Sequence, residues 1–179
     1  MKIRTLFLTI FSLICFSVSS QVDSFQQDIV NLLNVNGAEK QYSEAYDKII
    51  VVIQTQFSGS KVPEAVWKGI MKGKKKDIEE GILFGGFAYR KYFSEENISK
   101  MTAFFKTDAG KQFVKDSTLL TPDQEKEVAS FYKSSAGKKI KKTEKALALD
   151  MKKVVADWRK EIFVTTMTTL INKGYTPQR

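Results

Sequence analysis

Apolar residues along this chain return every three or four positions, the spacing of one face of an α-helix. In SFQQDIVNLLNVNG, Phe25, Ile29, Leu32 and Leu33 share a face, and Asn36-Gly37 is a C-terminal stop because both residues tolerate the left-handed conformation. A second helix is predicted from about Ala38 to Phe57, with Tyr42, Ala45, Tyr46, Ile49, Val52, Ile53 and Phe57 as its stripe. Its IIVVI run suits a strand, but the helical spacing extends over the wider window and no partner strand is visible. SGSKVP reads as a linker, with Pro63 suited to a helix start. Val66, Trp67, Ile70 and Met71 form the next apolar face. After KGKKK a further helix carries Ile78, Ile82, Leu83, Phe87 and Tyr89. Gly81, Gly85 and Gly86 weaken it by up to ~1 kcal/mol each, and either pack against a neighbour or mark a kink.

Two eight-residue stretches, FFKTDAGK from Phe104 and FYKSSAGK from Phe131, stand 27 positions apart. Residues 94–114 overlay 121–141 without a gap: Met101 meets Val128, Phe105 meets Tyr132 and Phe113 meets Ile140. Such a register is an internal-repeat signal. Each unit reads as a helical hairpin. Ser94 or Thr121 caps the first helix, with Pro122 at its first position and Gln124 completing a capping box with Thr121. Near Thr107 or Ser134 a second hydroxyl caps a new helix whose first turn holds Ala-Gly, small enough for one helix to approach another closely. Ile98 faces Glu125 in the overlay, so the first copy is expected to be the more buried. The last helix, from about Ser135 to Asn172, carries Ile140, Leu147, Met151, Val154, Trp158, Ile162, Met167 and Leu170. The fold class is all-α: a compact bundle of helical hairpins with a 27-residue duplication and a long C-terminal helix.

The first residues change the picture of where this bundle works. Lys2 and Arg4 precede an apolar run from Leu6 to Phe16, and Val18 and Ser20 are small residues before Gln21. That order reads as a secretory signal peptide over residues 1–20, with 21–179 as one helical domain; an uncleaved N-terminal anchor is the alternative, disfavoured because Ser-Val-Ser-Ser-Gln is small and polar. The apolar core is short for a membrane span, and no later run is long and apolar enough for one. Cys15 lies inside the signal, so the mature chain has no cysteine, and the whole chain has no histidine. Lys2 and Arg4 are the only charges of the signal, so its removal lowers the net charge from +9 to +7. A periplasmic or secreted location follows as the expectation, with no nucleic acid as partner.

The motif YFSEENI followed by FFKTDAGKQF resembles the signature of the bacterial exported family called domain of unknown function 2059. Phe93, Ser94, Phe104, Phe105, Lys106, Thr107, Gly110 and Lys111 fill its places, and Phe131, Tyr132, Lys133, Ser134, Gly137 and Lys138 fill the second half again. Asn97 and Ile98 stand where the family favours Glu-Leu, and Asp108 and Ser135 where it favours Pro. The resemblance implies an all-helical exported protein and no known reaction.

Candidate chemistry is sparse. DAGKQF and SAGKKI hold Gly-Lys, but the P-loop's earlier glycine is replaced by Phe105 or Tyr132, and Gln112 or Lys139 stands where Ser or Thr is needed. Anion binding at a helix N-terminus is a candidate role for Lys106, Thr107, Gly110 and Lys111, and for Lys133, Ser134, Gly137 and Lys138; a plain cap with exposed lysines is the alternative. Lys138, Lys139, Lys141, Lys142 and Lys145 crowd the start of the last helix. With Lys72, Lys74, Lys75 and Lys76 they form either an anion-attracting surface or a solvated face. Without histidine or mature cysteine the usual triads and zinc sites are excluded. Glu79-Glu80 and Glu95-Glu96 are adjacent on helices and point apart. Trp67 and Trp158 read as core rather than as sugar platforms. The reading that results is a non-enzymatic envelope binding or interaction module, without cofactor or metal, whose partner is an anionic envelope component or another envelope protein. The alternatives are a carboxylate-dependent hydrolase and a structural or chaperone-like protein with an apolar groove.

Overall fold

The computed structural model describes residues 23–178. The stretch 1–20 read as a signal peptide, with Cys15 and the expected cut before Gln21, lies outside them. Eight α-helices follow in order and no strand is present among the described residues. The first is α1 (Ser24–Val35), where Asp23 accepts the Gln26 N–H and the chain reverses at Gly37, φ 90°. Next come α2 (Ala38–Gln56), a 3-10 turn at Ser58–Ser60, α3 (Glu64–Met71) and α4 (Lys74–Tyr92). Then α5 (Glu95–Lys106), α6 (Asp108–Lys115), a 3-10 turn at Ser117–Leu119, α7 (Pro122–Lys133) and α8 (Ser135–Asn172) complete the bundle. After α8 the tail folds back, the Gln178 N–H donating to the Gln56 carbonyl at 2.7 Å.

Helix α4 lies at the centre, packed on α1, α2 and α8. The glycines left open by the sequence are contact points of an unbroken helix. A Cβ on Gly81 would stand 2.8 Å from the Tyr42 ring and 2.9 Å from the Trp158 indole nitrogen. One on Gly86 would collide with the Gln26 side chain. Three glycines cost helix propensity, and their missing side chains admit two aromatic rings and a buried glutamine. Trp158 donates from its indole to the Asp77 carbonyl at 2.8 Å and stands edge-on to Tyr42, 4.9 Å between centroids. Both tryptophans are core, Trp67 at 9% and Trp158 at 4% exposure.

Two stripe assignments need correction. Val52 and Phe87 are more than half exposed, while Ile50 is buried. At Ile49-Ile50-Val51-Val52 every position is apolar, so periodicity cannot say which face turns inward. Phe87 is turned outward by the geometry of α4, whose Gly85-Gly86-Ala88 side receives the neighbours.

The two corners share their hydrogen bonds. Thr107 accepts the Gly110 N–H at 3.1 Å, and Ser134 accepts the Gly137 N–H at 3.2 Å. The residue before each turn closes its helix in the same way, Thr107 N–H to Phe104 O and Ser134 N–H to Phe131 O, both 3.0 Å. In each corner a Cβ on the glycine would collide with that same carbonyl oxygen, of Phe104 or Phe131. The glycines are there because the new helix starts against the backbone of the old one. The units pack reciprocally: α5 lies on α8 and α6 on α7. At the centre Phe104 and Phe131 stack, 4.0 Å between centroids and 3° between planes. Ile98 is fully buried and Glu125 exposed, as their apolar and charged characters require.

Candidate functional site: a basic face and the clefts beside it

Helix α8 has 38 residues and a length of about 57 Å at 1.5 Å per residue. Lys138, Lys141, Lys142 and Lys145 lie on its outward side. At 3.6 residues per turn, Lys152 and Lys153, then Arg159 and Lys160, fall in the same sector of about 120°. All eight side chains are exposed, and none makes an ion pair among the described residues. The carboxylates of α8, Glu144, Asp150, Asp157 and Glu161, fall outside that sector by the same geometry. The result is an acid-free basic ridge about 33 Å long. Its one large apolar member is Leu149, 69% exposed. Sequence reading reached only the first turns of this ridge; sorting the whole helix by angle would have reached the rest.

The other lysines do not join it. Lys74 pairs with Asp47 at 2.6 Å, and Lys75 and Lys76 meet Glu79 and Glu80 at 3.8 and 3.6 Å. Asp77 sits beside Trp158 through the indole bond, and Trp158 points about 160° around α8 from the middle of the ridge. Lys139 turns off the ridge and is half-buried, its carbonyl accepting the Thr143 hydroxyl at 2.9 Å. At the corners, Thr107 also donates to the Phe104 carbonyl at 2.9 Å, and Lys111 faces Asp108 at 3.8 Å. Each corner hydroxyl is thus engaged with its own backbone, and one corner lysine already has a carboxylate near it.

The adjacent glutamates are exposed. Glu79 and Glu80 meet their lysines, and Glu96 pairs with Lys100 at 2.6 Å. A different acidic group, absent from the sequence reading, forms in space: Asp77, Glu80 and Glu161 line a recess of about 200 Å³ with Phe84 and Trp158. Burial, then the neighbouring Glu80, raises the Asp77 carboxyl above its ordinary range, while Tyr46 pulls it part way back. No cluster of three or more metal-ligating side chains is present among the described residues.

A larger cleft, about 500 Å³, opens between α1, α2, α4 and α8. Leu33, Ala45, Met151 and Val155 wall it with the rings of Tyr42 and Tyr89, and Lys152 of the basic ridge stands among its lining residues. Burial pushes the Tyr42 phenol up to about 12 and raises Tyr89, partly offset there by Asn36. Both hydroxyls are therefore neutral donors at physiological pH.

Among the described residues no helix is long and apolar enough to cross a membrane. No curated protein and no solved structure matches the chain. Residues 88–118, which hold α5, α6 and the first corner, match the model of the family described as "Uncharacterized protein conserved in bacteria (DUF2059)", the family that the corner motif resembles.

Proposed function

We propose that this is an exported, non-enzymatic binding module that holds an anionic component of the cell envelope on the outer face of α8. The observation that carries the reading is the acid-free ridge: eight exposed cations on one side of a single 38-residue helix. Cations near a helix N-terminus oppose the dipole, and clustered like charges repel one another, so the lysines at the start of α8 cost stability rather than add it. A large single-sign field attracts polyanions and anionic surfaces. The exposed Leu149 among the lysines suits a surface with some apolar character.

Retention of the protein on acidic-lipid vesicles and on a soluble polyanion, each as a function of salt, tests this. Binding should weaken steeply with salt, because each neutralised site releases counterions. Lys141→Glu with Lys142→Glu and Lys145→Glu should abolish it. Lys75→Glu with Lys76→Glu, which changes lysines already facing carboxylates, should leave most of it. Equal loss from both sets, or retention that does not depend on salt, would refute the ridge as the contact surface. The two matrices separate a lipid surface from a polymer.

A further inference from the structure

The cleft between α1, α2, α4 and α8 holds a feature that the ridge does not explain. Tyr42 is 4% exposed, and its hydroxyl has no hydrogen-bond partner in the protein. A buried hydroxyl left unbonded is unfavourable, and phenylalanine would fill the same space without that cost. The hydroxyl lies where Gly85 has no side chain: a Cβ there would stand 3.0 Å from the Tyr42 oxygen and 3.2 Å from the Met151 methyl. Met151 is also a wall of the cleft. Its unbranched thioether changes rotamer readily, and a ligand head group would reach the hydroxyl by displacing it.

The remaining lining defines the ligand's chemistry. Ala38, Ala45 and Val155 offer an apolar wall, no carboxylate lines the cleft, and Lys152 supplies a cation. The volume falls within the range of small-molecule pockets. We infer that this cleft binds a single-chain anionic amphiphile, its apolar body against Ala38, Ala45 and Val155 and its acidic head accepting from Tyr42 beside Lys152. The phenol stays protonated well above physiological pH and serves only as a donor. No bond is made or broken; the site is one of capture. The inference shares only Lys152 with the α8 ridge, so charge reversal at Lys141, Lys142 and Lys145, which do not line the cleft, tests the ridge separately.

Calorimetric titration of the full chain with dodecanoate, below its micelle concentration, tests it. One molecule should bind per chain. Tyr42→Phe should weaken binding about fivefold, the worth of one hydrogen bond, while its melting temperature holds or rises. Lys152→Gln should weaken binding by a similar factor, and Ala45→Phe should remove it by filling the cleft. Dodecyltrimethylammonium, with the same chain and the opposite charge, should bind far less. The assignment is overturned by absence of dodecanoate binding, by equal binding of wild type, Tyr42→Phe and Lys152→Gln, or by equal binding of the cationic amphiphile. A lower melting temperature for Tyr42→Phe would show that the hydroxyl is bonded within the fold, and would also overturn it. Lys152→Gln is an exposed change and stays readable should Ala45→Phe fail to fold.

Discussion

The α5–α6 corner and the α7–α8 corner are built from the same parts and meet different surroundings. Each begins with a hydroxyl cap, ends its first helix on a Phe carbonyl, and starts the next helix with an Ala-Gly pair pressed against that carbonyl. Yet α5 buries Ile98, Met101, Phe104 and Phe105, while α7 buries Phe131 alone. Helix α5 lies against α1 and α8; α7 lies on the rim. The second corner then launches the long basic helix, whereas the first launches one of only eight residues. Local backbone geometry is the same at both corners, and the side chains that do not touch the turn differ with their burial.

Exchanging the residues at the divergent site should break the comparison most sharply. Ile98→Glu places an uncompensated charge at a fully buried position and should cost about 4 kcal/mol. The reciprocal Glu125→Ile, on an exposed site, should change stability by less than about 0.5 kcal/mol. Denaturant unfolding of both variants measures the asymmetry, and equal effects would remove it.

The glycines test what the corners have in common. Alanine is favoured over glycine inside a helix by about 1 kcal/mol. At Gly110 and Gly137 the sign should reverse, because the new methyl meets backbone rather than a side chain able to move; at Gly110 the nearest Cα, of Phe105, would be 2.7 Å away. Each Gly→Ala change should destabilise by about 3 kcal/mol. A neutral result at either position would show that its corner can open.

Removing the caps should have a smaller effect. Thr107→Ala and Ser134→Ala each delete one side-chain acceptor at a helix start, worth about 1 kcal/mol. Thermal melts should give losses of similar size, somewhat larger for Thr107, whose hydroxyl also donates to the Phe104 carbonyl.

The weakest contrast is in pH. The first copy has Phe105 where the second has Tyr132. Burial, and secondarily Glu144, raises the Tyr132 phenol above 10.0. A raised acid stabilises the fold while protonated, so this contribution is complete below pH 10 and is lost as pH rises through the folded pKa. Tyr132→Phe should flatten part of the alkaline loss of stability, measured on either side of pH 10. Tyr42 and Tyr46, both near 12, account for more of it.

Much of the helix order was legible because each helix carries its own spacing of apolar residues and its own caps. Thr121-Pro122 with Gln124, Asn36-Gly37, and the Thr107 and Ser134 corners act within a few residues, so a local reading reaches them. The Tyr42 cleft was not legible. Tyr42 comes in the sequence as one member of an apolar stripe, and only the approach of α4 at Gly85 and of α8 at Met151 leaves its hydroxyl without a partner. Gln26, which donates to the Leu83 carbonyl at 3.1 Å, escaped for the same reason.

By itself, then, the sequence determined the helices, their ends and the two tight turns, since those depend on contacts between near neighbours along the chain. Which of Ile50 and Val52 turns inward, why α4 needs glycines, and where Asp77 meets Glu161 were decided only by tertiary structure. Those outcomes depend on residues many turns apart, and what one helix must present is set by the shape of the helix packed against it.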